Sequence, residues 1–159
     1  MKDAAAIVGP GRPCAHRMPF PDAPGCQTFV DIGDDAYPSA KEALEVWLES
    51  ELANGNSPPR PSSSASLRKN TPAGPDERRG PVRVAPSLSV RLLVRWARED
   101  RGWSQSELAR RVGVSQQAIA KLEAPDSNIT FTTLEKVAEA LELEVDLELA
   151  APRHLVAAG

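Results

Sequence analysis

Ser104-Gln105-Ser106-Glu107-Leu108-Ala109-Arg110-Arg111-Val112-Gly113-Val114-Ser115-Gln116-Gln117-Ala118-Ile119-Ala120-Lys121-Leu122-Glu123 reads as two short helices joined by a tight turn. Ser104 is placed to cap the first helix, and Glu107 three residues on can reach back, which is the pattern of a capping box. Gly113 follows the apolar set Leu108, Ala109 and Val112, at the point where the chain leaves the helix with positive φ. Val114 continues the apolar set, and Ser115 caps a second helix whose inward residues are Ile119 and Leu122. Ala109 is small where the two helices must cross. The stretch is a helix-turn-helix, with Leu108, Ala109, Gly113, Val114, Ile119 and Leu122 as its core.

Elements on either side complete a helical domain over residues 81–150. A preceding helix is expected from about Ser87 to Asp100, with Leu88, Leu92, Leu93 and Trp96 inward and Gly102 at its end. Arg91, Arg95, Arg98 and Arg101 lie close to one face of it, as a solvated stripe or as phosphate contacts. Behind the pair, Thr132 with Glu135 reads as another capping box, opening a helix with Leu134, Val137, Ala138 and Leu141 inward. Pro125 to Ile129 is expected to be a loop. Leu143 to Leu149 alternates apolar and acidic residues, the mark of a half-exposed strand. A single strand is unstable alone, so it needs Val82–Val84 or the same strand of a second copy.

The spacing from Gln105 to Glu123 resembles the Cro/C1 (XRE-type) repressor family, whose second helix lies in the DNA major groove. The resemblance implies that Gln116 and Gln117 read base edges and that Lys121, one turn on, reaches a base or a phosphate. A glutamine amide offers the donor and acceptor that match adenine. Gln105 falls at a phosphate-contact position, and Ser104, Ser115, Arg110 and Arg111 are expected to complete the backbone contacts. The implied partner is double-stranded operator DNA. A dimer joined through the C-terminal strand would place two recognition helices about 34 Å apart.

The charge distribution agrees with that reading although the net charge does not. The 159 residues carry −3 overall, yet residues 60–121 hold 13 Lys/Arg against 5 Asp/Glu. Residues 1–59 hold 4 against 9, and residues 122–159 hold 2 against 8, so acidic ends flank a basic middle. The acidic ends suit a basic partner, and the basic middle suits phosphates.

Upstream, residues 1–18 show glycines, prolines and little alternation, and are expected to be poorly ordered, with Ala4–Val8 as one candidate strand. Phe20-Pro21-Asp22-Ala23-Pro24-Gly25-Cys26 is a proline-bounded turn, and Gln27–Ile32 alternates as a strand. Ala40, Ala43, Leu44, Trp47 and Leu48 then form one helix face that ends at Asn54-Gly55. Together with Gly33-Asp34, these phrases resemble the N-terminal domain of HicB-type antitoxins. That family joins a small αβ domain, which blocks the HicA ribonuclease toxin, to a DNA-binding domain that represses the operon. Two strands that the family places before the turn are not evident in residues 1–18, so residues 19–56 are expected to be a partial domain.

Residues 57–80 read as a disordered basic linker: prolines, serines and glycines fill half of the positions, and Leu67 is the one large apolar residue. Residues 151–159 read as a tail. The expected fold class is therefore α+β: a lambda-repressor-like helical domain with a terminal strand, a partial αβ domain and a linker. Cys14, Cys26, His16 and His154 show no zinc-ligand spacing, and no cofactor or metal is expected. Asp31, Asp34 and Asp35 are the one tight carboxylate cluster, and nothing accompanies them as a nucleophile, base or phosphate loop, so no enzyme is expected. No run is apolar enough to cross a membrane, and a cytoplasmic protein is expected. The functional expectation is an antitoxin that represses its own promoter and neutralises a HicA-like toxin. The alternative is a plain regulator of the XRE type whose N-terminal part is vestigial.

Overall fold

The computed structural model describes residues 4–10, 15–70, 78–125 and 130–146. Four strands and six helices follow in the order β1 (Ala4–Pro10), β2 (Ala15–Pro19), β3 (Gln27–Asp31), α1 (Ala36–Ala53), α2 (Ser64–Asn70), β4 (Arg78–Val82), α3 (Pro86–Asp100), α4 (Gln105–Val112), α5 (Gln116–Glu123) and α6 (Phe131–Ala140). The chain divides into two units. One holds the sheet, α2 and α1 up to Leu48, and the other holds Glu49–Ser57 with α3 to α6.

The first unit is built on an antiparallel sheet of order β3-β2-β1-β4. Its central strand departs from the sequence expectation. Residues 4–10 and 15–19 are strands, so the segment expected to lack order supplies half of the sheet, and the two strands expected before the proline turn are present. Ala-Ala-Ala-Ile-Val-Gly-Pro carries no alternation from which a strand could be read. Its order comes from pairing on both sides, Gly9 opposite Arg17 and Ala4 opposite Val82.

The proline turn closes on itself. Phe20 N–H donates to the Cys26 carbonyl at 3.3 Å and Cys26 N–H to that of Ala23 at 2.9 Å, with Gly25 at φ 84°. Met18, Phe20, Ala23, Cys26 and Val30 are buried in this unit together with Ala36, Ala40, Leu44 and Leu48 of α1. The buried residues of α1 recur every four positions, the period of a helix that buries one stripe. Asp35 Oδ1 accepts from Tyr37 N–H at 3.0 Å at the start of α1. Burial in this apolar setting pushes the Cys26 thiol up to about 11.

The linker expectation is also corrected over 57–70 and 78–80, while residues 71–77 lie outside the described residues. Pro58 is fully buried, Ser62 N–H donates to Asp22 Oδ2 at 2.9 Å, and residues 64–70 form α2. The chain then returns as β4, where Arg79 Nη1 donates to the Leu67 carbonyl at 3.4 Å. Composition missed this because the stabilising contacts lie 40 and more residues away, on Asp22 and β1. The strand expected at Val82–Val84 is therefore Arg78–Val82, and it belongs to the sheet, so the helical unit begins at Ala85 rather than residue 81.

In the helical unit, Val94, Ala97, Leu108, Ala109, Ile119, Leu122, Val137 and Leu141 form one core, with Val90, Trp103, Val112, Val114 and Ala140 packed against it. Helix α3 differs from its expected face. Leu88 and Leu92 are buried, but Leu93 is 43% exposed, while Val94 and Ala97 point into the core. The cap of α6 is Thr130, whose hydroxyl accepts from Thr133 N–H at 3.3 Å, two residues before the expected Thr132. Residues 143–146 of the expected terminal strand carry no strand pairing among the described residues. Residues 147–149, the tail, Cys14, His154 and 126–129 of the expected loop lie outside them.

Candidate nucleic-acid interface

Helix α4 is closed at both ends by local chemistry. Ser104 Oγ accepts from Glu107 N–H at 3.1 Å, and Glu107 Oε2 accepts from Ser104 N–H at 2.6 Å, so the capping box is complete. The bond to the Ser104 backbone, helped by its side chain and by Arg110 and Arg111, holds the Glu107 carboxyl below its usual range. Gly113 ends the helix in the left-handed region at φ 76°, and the N–H groups of Gly113 and Val114 both donate to the Ala109 carbonyl, at 2.9 and 3.0 Å. That closure turns the chain at once into Ser115, whose Oγ accepts from Ala118 N–H at 3.2 Å and starts α5.

The packing fixes which side of α5 faces out. Leu108, Ala109, Ile119 and Leu122 are buried, Val114 is half-buried, and Gly113 occupies the turn. Ser115, Gln116, Gln117, Ala118 and Lys121 are exposed, and so are Ser104, Arg110 and Arg111, while Gln105 is half-buried. Gln116, Gln117 and Lys121 thus sit at exposed positions of the first two turns of one short helix. Arg111 stacks over the Trp103 ring with its guanidinium carbon 4.0 Å from the centroid, and Arg101 approaches the same ring at 5.6 Å.

A buried ion pair behind this surface escaped the sequence reading. Glu123 is 3% exposed and accepts from Arg98 Nε at 2.6 Å and from Arg98 Nη2 at 2.9 Å. Arg98 Nη1 donates to the Trp103 carbonyl at 2.8 Å, and Gln105 Nε2 donates to Glu123 Oε2 at 3.0 Å. One carboxylate therefore ties α3, the start of α4 and the end of α5. Its hydrogen bond raises the Arg98 guanidinium further above its already high value. The available signal was that Glu123 lies four residues after the buried Ile119, on the inward face.

The remaining arginines of the α3 stripe also turn away from the solvated role. Arg91 is buried, Arg95 pairs with Glu99 at 3.1 Å and donates to the Gly55 carbonyl, and Arg101 donates to the carbonyls of Ala97 and Leu141. Among the described residues no cluster of three or more His, Cys, Asp or Glu side chains could hold a metal ion, and no helix is long and apolar enough to cross a membrane.

Comparison with known proteins finds a match in each unit. Residues 5–77 match the model of the HicB-like antitoxin of bacterial toxin-antitoxin systems, and residues 94–147 match that of a helix-turn-helix domain. The first match covers β1 through α2, so the sequence expectation of a partial domain confined to 19–56 is corrected here as well. Antitoxin HipB of Escherichia coli strain K12 is 42% identical over 50 residues, which are 31% of this chain and 57% of that protein. Antitoxin HipB of Escherichia coli O6:H1 strain CFT073 is 40% identical over 50 residues, 31% of this chain and 53% of that protein. The chain thus spans little more than half the length of the curated relatives it matches. Among solved structures, a chain of a HipA-HipB-O2-O3 complex aligns over 43% of this chain and 97% of its own length, at 30% identity and a TM-score of 0.39. The matched families are DNA-binding regulators and antitoxins.

Proposed function

The chain joins a HicB-like antitoxin domain to a helix-turn-helix domain, and from that premise we propose that it is the antitoxin of a toxin-antitoxin pair and represses its own promoter. The carrying observation is α5, a short helix on a doubly capped frame that exposes Gln116, Gln117 and Lys121 while its other face is locked in the core. In this reading Gln116 and Gln117 read base edges, and Lys121 takes a base or a phosphate. Ser104, Ser115, Arg110 and Arg111 meet the sugar-phosphate backbone. Gln105 keeps one amide hydrogen for a phosphate, because Glu123 takes the other.

Two copies act together. Val82 is paired with Ala4 in the sheet, and in this reading the C-terminal segment takes its partner strand from a second copy. Leu143 and Val145, 43% and 38% exposed, alternate there with Glu142, Glu144 and Asp146. The sheet-bearing unit binds a HicA-like ribonuclease toxin; the chain works in the cytoplasm, needs no cofactor and performs binding rather than catalysis.

The test is a titration of the full chain against the DNA upstream of its own gene, beside a scrambled duplex. Tight binding to the first with two chains per site is expected. Gln116→Ala and Gln117→Ala should each remove about 1–3 kcal/mol of discrimination between the duplexes. Equal, salt-sensitive binding of the unaltered chain to both duplexes would overturn the regulator reading.

A further inference from the structure

Helix α4 ends with two arginines, and only one of them is held in place by a ring. Arg111 lies over the indole of Trp103, its guanidinium carbon 4.0 Å from the ring centroid. Arg110, one residue before it, has no such stack among the described residues. The two side chains otherwise match: both are exposed, both sit in the last turn of α4, and both pull on the Glu107 carboxylate.

The ring under Arg111 is a fixed platform. Trp103 is half-buried and packs against the core of the helical unit. One residue pins its backbone on both sides: Trp103 N–H donates to the Arg98 carbonyl at 3.1 Å, and the Trp103 carbonyl accepts from Arg98 Nη1 at 2.8 Å. Arg101 approaches the same ring at 5.6 Å, but its Nη1 and Nη2 donate to the carbonyls of Ala97 and Leu141. Arg111 makes no hydrogen bond or ion pair among the described residues, and Glu107 Oε2 beside it is committed to Ser104 N–H. A guanidinium stacked on a ring uses its face, whereas its five N–H groups lie in the plane and leave from the edge. The stack therefore fixes where Arg111 stands without occupying a donor. Two parallel N–H groups on such an edge are what a pair of phosphate oxygens accepts.

We propose that Trp103 is a positioning residue for DNA binding: its ring holds the Arg111 guanidinium ready for one backbone phosphate. A free arginine loses rotamer freedom when it takes a phosphate, and one already stacked has lost it on folding. The inference rests on the DNA-binding reading and deepens it, because it separates Arg111 from Arg110, which meets its phosphate without a platform.

The experiment uses the full chain, with the duplex upstream of its own gene and a scrambled duplex as probes, over a series of salt concentrations. Arg111→Ala should weaken binding to both duplexes by the same factor, about tenfold or more, and lower the slope of log affinity against log salt by about 1. Trp103→Leu should weaken both about two- to tenfold, the cost of ordering one long side chain at an interface. In the Arg111→Ala background that loss should vanish, and in the Arg110→Ala background it should persist in full. Trp103→Phe still offers a ring face and should restore most of the affinity. Urea unfolding in the same buffer checks that each variant is folded; if Trp103→Leu is not, the Phe variant and the Arg111→Ala salt slope carry the test. A Trp103→Leu loss that is the same with and without Arg111 makes the ring a packing element only and overturns the proposal. An unchanged salt slope in Arg111→Ala, or a Trp103→Leu loss confined to the promoter duplex, overturns it too. Equal binding of the unaltered chain to both duplexes removes the regulator reading instead, while the Trp103–Arg111 cycle still decides the phosphate contact on either duplex.

Discussion

Replacing Glu123 by leucine tests how the recognition surface is held. The substitution puts an apolar side chain of similar size where the carboxylate was and removes the acceptor for Arg98 Nε, Arg98 Nη2 and Gln105 Nε2. Arg98 is 9% exposed, so its guanidinium stays out of water with one remaining hydrogen bond, to the Trp103 carbonyl, and a looser ion pair to the partly exposed Glu99 at 3.8 Å. Breaking a buried ion pair from one side costs about 3–5 kcal/mol, chiefly because the surviving charge is left uncompensated. Against a domain stability of about 5–15 kcal/mol, that is a large part of the total. For a unit of this size it lowers the melting temperature by roughly 12 °C or more. The companion variant Arg98→Met/Glu123→Leu removes the stranded charge. It still leaves the Trp103 carbonyl and the Gln105 amide without their bonds, about 1 kcal/mol each, so it should regain about 1–3 kcal/mol of the loss. Urea unfolding followed by the fluorescence of Trp96 and Trp103 reads both. A single variant that loses less than about 1 kcal/mol, or a double variant no more stable than the single, would refute the view that desolvated charge is what makes Glu123 indispensable.

Glu142 ends α6 with φ at 52°, the one non-glycine in the left-handed region among the described residues, while Leu143 N–H donates to the Ala138 carbonyl at 2.8 Å. Glu142→Gly should therefore stabilise the unit by about 0.5–1 kcal/mol in thermal melts, since the exposed contact to Arg101 that it sacrifices is worth little. A loss of stability instead would mean that the glutamate side chain, not backbone strain, governs this turn. The Glu107 carboxyl is held below its ordinary value of 4.5. Its stabilising contribution is present above that value and disappears as pH falls through the lower folded value, so Glu107→Gln should flatten the stability profile on the acid side of about pH 4.5. The Cys26 thiol is shifted the other way, from 9.0 to about 11, so its contribution is complete below pH 9 and is lost as pH rises toward 11. Cys26→Ala should remove that alkaline loss, and an unchanged profile would contradict the burial of the thiol.

What could be read in advance follows the distance over which each element is specified. The helix-turn-helix depends on residues within about one turn of each other: Ser104 with Glu107, Ala109 with Gly113 and Val114, Ser115 with Ala118. Every one of those signals is visible in a window shorter than the element. The sheet is the opposite case. Ala4 meets Val82 across nearly half of the chain, and neither Ala-Ala-Ala-Ile-Val-Gly-Pro nor Arg-Arg-Gly-Pro-Val alternates. Such segments become strands because a partner satisfies their backbone groups, and pairing across that distance leaves no periodic trace.

The arginines of α3 make the same point about charge. Their spacing placed them on one face correctly, but a helix face becomes a phosphate-binding face only if nothing inside the protein claims it first. Glu123 claims Arg98, Glu99 and the Gly55 carbonyl claim Arg95, and the carbonyls of Ala97 and Leu141 claim Arg101. A count of 13 basic residues between 60 and 121 therefore overstates the electrostatic footprint. Arg110, Arg111 and Lys121 stay exposed because α4 and α5 bury leucine, alanine and isoleucine on their inner faces and present no carboxylate to them except Glu107, which is already committed to the Ser104 backbone. The charge that remains for DNA is set by what the core leaves outside.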